Sequence, residues 1–86
     1  MKSRTTSDFW EMFRRLQPET QERARTAYQL WRDNPRHNSL QFRRVSRRHP
    51  IYSVRVGLEH RALGLLEGDT VFWYWIGPHD DYERLL

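Results

Sequence analysis

Apolar residues recur along this chain with two periods, and the change falls near its middle. In "SDFWEMFRRLQ", Phe9, Phe13 and Leu16 stand at i, i+4 and i+7, one stripe of a helix, with Trp10 and Met12 on its flanks. Ser7 or Asp8 can cap this helix, and Glu11 lies close enough to support a capping box. Pro18 is placed to open a second helix, because the first turn needs no proline N–H, and acidic Glu19 and Glu22 follow at its positive end. Ala24, Ala27, Tyr28, Leu30 and Trp31 give that helix a buried side. Pro35 disfavours helix at Asn34 and ends it. Almost no loop separates the two, which predicts a helical hairpin.

Beyond the polar "RHNS" the period becomes two. "LQFRRV" reads as a strand with Leu40 and Phe42 on one side. "IYSVRV" alternates, with Tyr52, Val54 and Val56 inward and Ser53 and Arg55 outward. "HRALGLL" is a third strand, Gly68-Asp69 suits a two-residue hairpin, and "TVFWYWIG" is a fourth strand stopped by Gly77-Pro78. The expected fold is α+β, a four-stranded antiparallel sheet with the helical hairpin on one face. One domain is expected over residues 7–86, with Met1 to Thr6 frayed.

Helices on one face leave the other open. Ala62, Gly64 and Leu66 share a face of the third strand, and the small Ala62 and Gly64 leave room for a helix there. Arg61, Leu63 and Leu65 then look outward. If residues 57–59 form the turn, Arg55 lies directly across from Arg61, a destabilising pair unless an anion sits between them. On the last strand, Phe72, Tyr74 and Ile76 are assigned to the helix side, so Trp73 and Trp75 join the arginines outside. Arginines interleaved with aromatics suit single-stranded nucleic acid, whose bases stack at about 1–3 kcal/mol each. Packing in a core or under a partner chain is the plainer reading of both tryptophans.

Composition sharpens this. With 86 residues and no Cys, the chain has neither a disulfide framework nor a Cys-based zinc staple, and must close on packing or borrow stability from a partner. No apolar run approaches the roughly 18 residues that span a bilayer, and "MKSRTTSDF" has no export signal, so a cytoplasmic protein is expected. The net charge of +4 is unevenly spread: residues 36–61 hold Arg36, Arg43, Arg44, Arg47, Arg48, Arg55 and Arg61 against Glu59 alone. Arginine grips phosphate bidentately and stacks on bases, so this belt points to nucleic acid; the plainer reading is a solvated basic face. Asp80, Asp81 and Glu83 make the far end acidic, and they repel phosphate unless they orient His79. His, Asp and Glu form no metal-spaced cluster, and there is no glycine-rich phosphate loop or serine elbow, so no metal or cofactor is expected.

The order of elements, with "LQFRRV", "YSVRVGLEHRALGLLEGDTVFWYWIG" and the closing "PHDDYERLL", resembles the RelE/ParE superfamily of bacterial type II toxin–antitoxin toxins over roughly residues 7–86. The resemblance implies a toxin held by a cognate antitoxin. In the RelE-like branch it implies a ribosome-dependent mRNA endonuclease, and in the ParE-like branch a DNA gyrase poison without enzymatic activity. A non-toxic RNA- or protein-binding module is the third class. Metal-free RNA cleavage turns the 2′-hydroxyl on its neighbouring phosphate and needs a proton acceptor, a proton donor and cations. His79, Tyr82 and Arg61 are the candidate catalytic residues. Arg43, Arg44, Arg47, Arg48 and Arg55, with Trp73 and Trp75, are the candidate RNA-binding ones. Three positions separate His79 from Tyr82, so one helical turn brings both to one side.

Overall fold

The helices begin and end close to where their punctuation places them in the computed structural model, which describes residues 1–85; Leu86, the last residue of the expected domain, lies outside them. Helix α1 spans Ser7–Arg14 and helix α2 Pro18–Asp33. The cap of α1 is Thr6, one residue before the expected pair, and its Oγ1 accepts from the Phe9 N–H at 3.2 Å. Near the end of α1 the Phe13 carbonyl accepts from the Leu16 N–H at 3.1 Å and from Gln21 Nε2 at 3.0 Å, which ties α2 to α1. The hairpin is open: α1 lies over the last strand and α2 over a middle one. Between them runs an apolar cleft of about 420 Å³ lined by Phe9, Trp10, Phe13, Tyr28 and Trp31 among others.

The sheet is five-stranded and mixed rather than four-stranded and antiparallel. Its strands are β1 (Lys2–Thr5), β2 (Arg43–Arg44), β3 (Ile51–Val56), β4 (His60–Glu67) and β5 (Thr70–Pro78), in the order β1-β5-β4-β3-β2. The extra strand comes from the segment expected to be frayed. It runs parallel to β5, from Lys2 opposite Thr70 to Thr5 opposite Trp73. The Lys2 N–H reaches the Asp69 carbonyl at 2.8 Å and the Thr6 N–H the Trp73 carbonyl at 3.1 Å. A polar edge strand shows no apolar alternation, so "KSRT" carried no visible strand signal. At the other edge β2 is only two residues long. Leu40 belongs to a 3₁₀ turn, Asn38–Leu40, and Gln41 is left-handed, so the expected strand from Leu40 is shortened. After β5 the chain turns into helix α3, His79–Leu85.

A β-bulge decides which aromatics form the core. Leu63 pairs with Trp75 but Gly64 pairs with Trp73, so Tyr74 is the extra residue on β5. Inserting one residue moves every earlier side chain of the strand to the opposite face. Trp73 therefore points to the helices, not to the open face where alternation alone placed it, and Phe72, opposite Leu65, leaves the helix side. Trp73 is 4% exposed and meets Trp31 edge-on, with ring centroids 5.4 Å apart. Gly64 makes room for Trp73 rather than for a helix: a Cβ there would lie 2.4 Å from Val71 Cγ1 and 2.8 Å from Trp73 Cε3. Burying about 200 Å² of such a ring contributes about 5 kcal/mol, so this parity sets much of the stability.

Candidate functional site

On the face away from α1 and α2, side chains stand in two rows across the sheet. One row runs Arg43, Ser53, Leu63, Trp75, and the next Arg55, Arg61, Gly77. The turn at residues 57–59 has the length that sets Arg55 directly opposite Arg61. Gly77 lets the Trp75 indole lie against it: a Cβ there would come within 2.8 Å of Trp75 Cζ2.

Arg61 is the centre of this face, and it is only 5% exposed. Its Nη1 donates to Ser53 Oγ at 3.2 Å and its Nη2 to Gln41 Oε1 at 2.8 Å. Its guanidinium carbon sits 5.4 Å from the centre of the Tyr82 ring. Its Nε has no hydrogen-bond partner among the described residues. Among the described residues no carboxylate lies within ion-pair distance of it; the pairs present are Arg25–Glu22, His79–Glu83 and Arg84–Asp81. Burial pushes the Arg61 guanidinium below its ordinary range, Arg43 and Arg55 push it further, and Tyr82 opposes them. A buried cation held only by neutral acceptors is costly to the fold, and an anionic ligand would remove that cost.

Arg61 opens into a groove of about 700 Å³ whose walls include Gln41, Arg55, Leu58, Glu59, His79 and Asp80. The Arg55 Nε–H donates to the Gly57 carbonyl at 3.1 Å, which pins that side chain along the turn. The His79 N–H donates to the Glu59 carbonyl at 2.7 Å, and this bond ties the start of α3 to the β3–β4 turn. His79 Nδ1 lies 3.4 Å from Glu83 Oε1, and its ring centre lies 5.5 Å from that of Tyr82. Glu83 and Asp81 are thus turned to partners on α3 itself. Asp80 is the tail carboxylate left on the groove wall.

The fold brings together Arg61, Arg55, His79 and Tyr82, with Arg43 and Trp75 in the neighbouring row. Tyr82 is buried against Arg61, so its ring holds the guanidinium rather than offering an open stacking face. Arg44, Arg47 and Arg48 belong elsewhere. Arg44 clamps its own loop through the Ser46 carbonyl at 2.8 Å and the Arg47 carbonyl at 3.3 Å, while Arg47 and Arg48 stand exposed on that loop. Trp73 is not on this face at all. Two residues of the site, Gln41 and Ser53, escaped the sequence reading. Ser53 was visible only as a small outward residue, and nothing marks Gln41, because left-handed positions ordinarily carry Gly, Asn or Asp. No group of three His, Asp or Glu among the described residues is placed to hold a metal ion.

Residues 18–84 match the family model of the ParE-like toxin domain. No curated protein matches the sequence. Among solved structures, the chain is similar to a RelB–RelE antitoxin–toxin complex from Methanococcus jannaschii, with a TM-score of 0.74 and 14% identity over 95% of this chain and 96% of that one. It is also similar to a YoeB/ParE toxin from Agrobacterium tumefaciens, with a TM-score of 0.71 and 16% identity over 92% and 99% of the two chains. A copper-bound mutant toxin from Helicobacter pylori shares the fold at a TM-score of 0.64 and 13% identity over 94% and 97%.

Proposed function

The chain belongs to the ParE-like toxin domain family, and from that premise we propose that it is the toxin of a toxin–antitoxin pair and cuts mRNA on the ribosome at the Arg61 groove. The observation that carries this reading is the buried Arg61, held by Ser53, Gln41 and Tyr82 without a counter-ion among the described residues, and opening beside His79. A phosphodiester supplies the missing negative charge. The 2′-oxygen forms a bond to phosphorus, the bond from phosphorus to the 5′-oxygen breaks, and a 2′,3′-cyclic phosphate remains. The proton of the 2′-hydroxyl leaves and one is delivered to the 5′-oxygen; His79 is assigned one of these transfers and water the other. Arg61 and Arg55 stabilise the charge gathering on the phosphorane oxygens. Trp75 and exposed Arg43 lie where neighbouring nucleotides would run, and Arg47 and Arg48 extend the positive surface for the RNA backbone.

The antitoxin reading is supported by the complex seen for the Methanococcus relative and by surface on this chain. Exposed Trp10 and Tyr28 flank the cleft between α1 and α2, and Arg4, Arg25 and Arg32 line it with no carboxylate among the described lining residues, although Arg25 also pairs with Glu22. An apolar, acidic antitoxin segment fits that cleft. Leu63 and Trp73 are buried, so the open face has less apolar surface to cover than their outward placement required.

Induction of the protein in a bacterial host tests the reading. Arrest of growth with cut mRNA is expected, lost in His79→Ala and reduced in Tyr82→Leu, which removes the ring that holds Arg61. Asp80 on the groove wall favours a second reading, a DNA gyrase poison without chemistry, because a carboxylate there repels phosphate. Under that reading, arrest comes with DNA-damage signalling and intact mRNA, and His79→Ala leaves it unchanged.

A further inference from the structure

Gln41 is the one non-glycine residue among those described with a positive φ, 46°, paired with a ψ of 45°. That left-handed conformation is easy for Gly and tolerable for Asn, but it strains a longer side chain. Its surroundings hold it there. The Gln41 N–H closes the 3₁₀ turn onto the Asn38 carbonyl at 3.3 Å, and the neighbouring Leu40 is 2% exposed and anchors that turn in the core. What the strained backbone achieves is a direction for one side chain. Gln41 Oε1 meets Arg61 Nη2 at 2.8 Å, the closer of the two hydrogen bonds on that guanidinium. Arginine only donates, so the oxygen of the amide must face it and the Nε2 must face away. Nε2 makes no hydrogen bond among the described residues, and Gln41 lines the groove.

The chemistry of the two acceptors on Arg61 matters. Buried arginines are ordinarily held by carboxylates, which cancel their charge. Ser53 and Gln41 are both neutral, so they fix the guanidinium and leave its charge for a ligand. We propose that Gln41 is a positioning residue of the RNA site: its carbonyl aims Arg61 into the groove without neutralising it, and its free amide adds a donor beside it for a phosphate oxygen. This rests on reading the groove as an RNA site.

The experiment measures binding of a fluorescent, 2′-O-methylated single-stranded RNA, which cannot be cleaved, to the full chain over a series of salt concentrations. Thermal midpoints and the ¹⁵N resonances of the Arg61 guanidinium are recorded alongside. Gln41→Gly relieves the backbone and removes the side chain. It is expected to keep or raise the thermal midpoint, to weaken RNA binding about tenfold, the scale of one charge-assisted hydrogen bond, and to set the Arg61 guanidinium rotating freely. Gln41→Glu keeps the length but pairs with Arg61; it is expected to bind at least as weakly and to lose about one unit of salt slope, as when one phosphate contact disappears. Arg61→Ala is the reference. If Arg61→Ala weakens binding while both Gln41 variants bind like the wild type, the role of Gln41 is overturned and the RNA reading stands. If Gln41→Gly loses binding only in step with its thermal midpoint, Gln41 is merely structural and the inference also falls. If Arg61→Ala binds as tightly as the wild type, the RNA reading itself fails and takes the role of Gln41 with it.

Discussion

The two faces of the sheet are both buried at their centres, yet they are buried for opposite ends. Under the helices, Trp73 packs against Trp31, beside Phe42, and the buried indole N–H groups of Trp31 and Trp73 have no hydrogen-bond partner among the described residues. On the other face the central side chain is a cation, Arg61, with a polar lining of Ser53 and Gln41 and an Nε that has no partner among the described residues. An orphaned polar group costs about 1–3 kcal/mol on either face. In the aromatic core that cost is offset by apolar burial. On the Arg61 face no comparable burial offsets a desolvated charge, so the balance there awaits a ligand. One face maximises stability, and the other keeps a desolvated charge at the expense of stability, as the proposed binding site requires.

Substitutions can separate these roles. The largest effect is expected for Trp73→Ala, which empties the aromatic core and should cost about 3–5 kcal/mol, enough to leave a small domain largely unfolded. Urea denaturation measures it, and a loss under about 1 kcal/mol would mean that Trp73 faces outward after all. Arg61→Met should do the reverse of what its burial implies: replacing an unpaired buried charge by an apolar chain should leave stability unchanged or raise it by about 1–3 kcal/mol, while growth arrest disappears. A large loss of stability in that variant would show that Arg61 belongs to the core rather than to a site. Gly77→Ala pushes a Cβ into the Trp75 ring and should cost about 1–2 kcal/mol, with a shift in tryptophan fluorescence; an unchanged spectrum would mean that Trp75 does not lie against the glycine. The smallest effect concerns alkaline pH. Burial pushes the Tyr74 hydroxyl up from its ordinary range, so between its unfolded and folded values the folded state holds more protons than the unfolded state. Stability should therefore fall as pH rises past the ordinary tyrosine range, and Tyr74→Phe should flatten that fall in thermal melts.

Much of this was readable from periodicity. Pro18 and Pro35 bracket α2 as expected, β3 and β4 begin at the expected residues, and Gly68-Asp69 makes the two-residue hairpin, with Gly68 at a φ of 59°. The Arg55–Arg61 opposition followed from the length of one turn. The parity of β5 did not follow. "VFWYWI" is bulky and apolar at every position, so no polar residue reveals which set faces the helices, and a bulge at Tyr74 leaves no mark in such a run. β1 stayed hidden for the opposite reason: it is polar at every position and pairs only along an edge of the sheet.

By itself the amino-acid order determined the helical hairpin, the antiparallel core of the sheet and a concentration of arginine beside a His and a Tyr at the last strand's end. These features are local, set by periods, prolines, glycines and turn lengths that act within a few residues. Only the tertiary structure decided that Trp73 is core while Trp75 is not, that Arg44 serves its own loop, and that Arg61 is gripped by Gln41, 20 positions away, and by no carboxylate among the described residues. Such outcomes depend on which strands meet and in what register, and a single inserted residue in β5 was enough to reverse one of them.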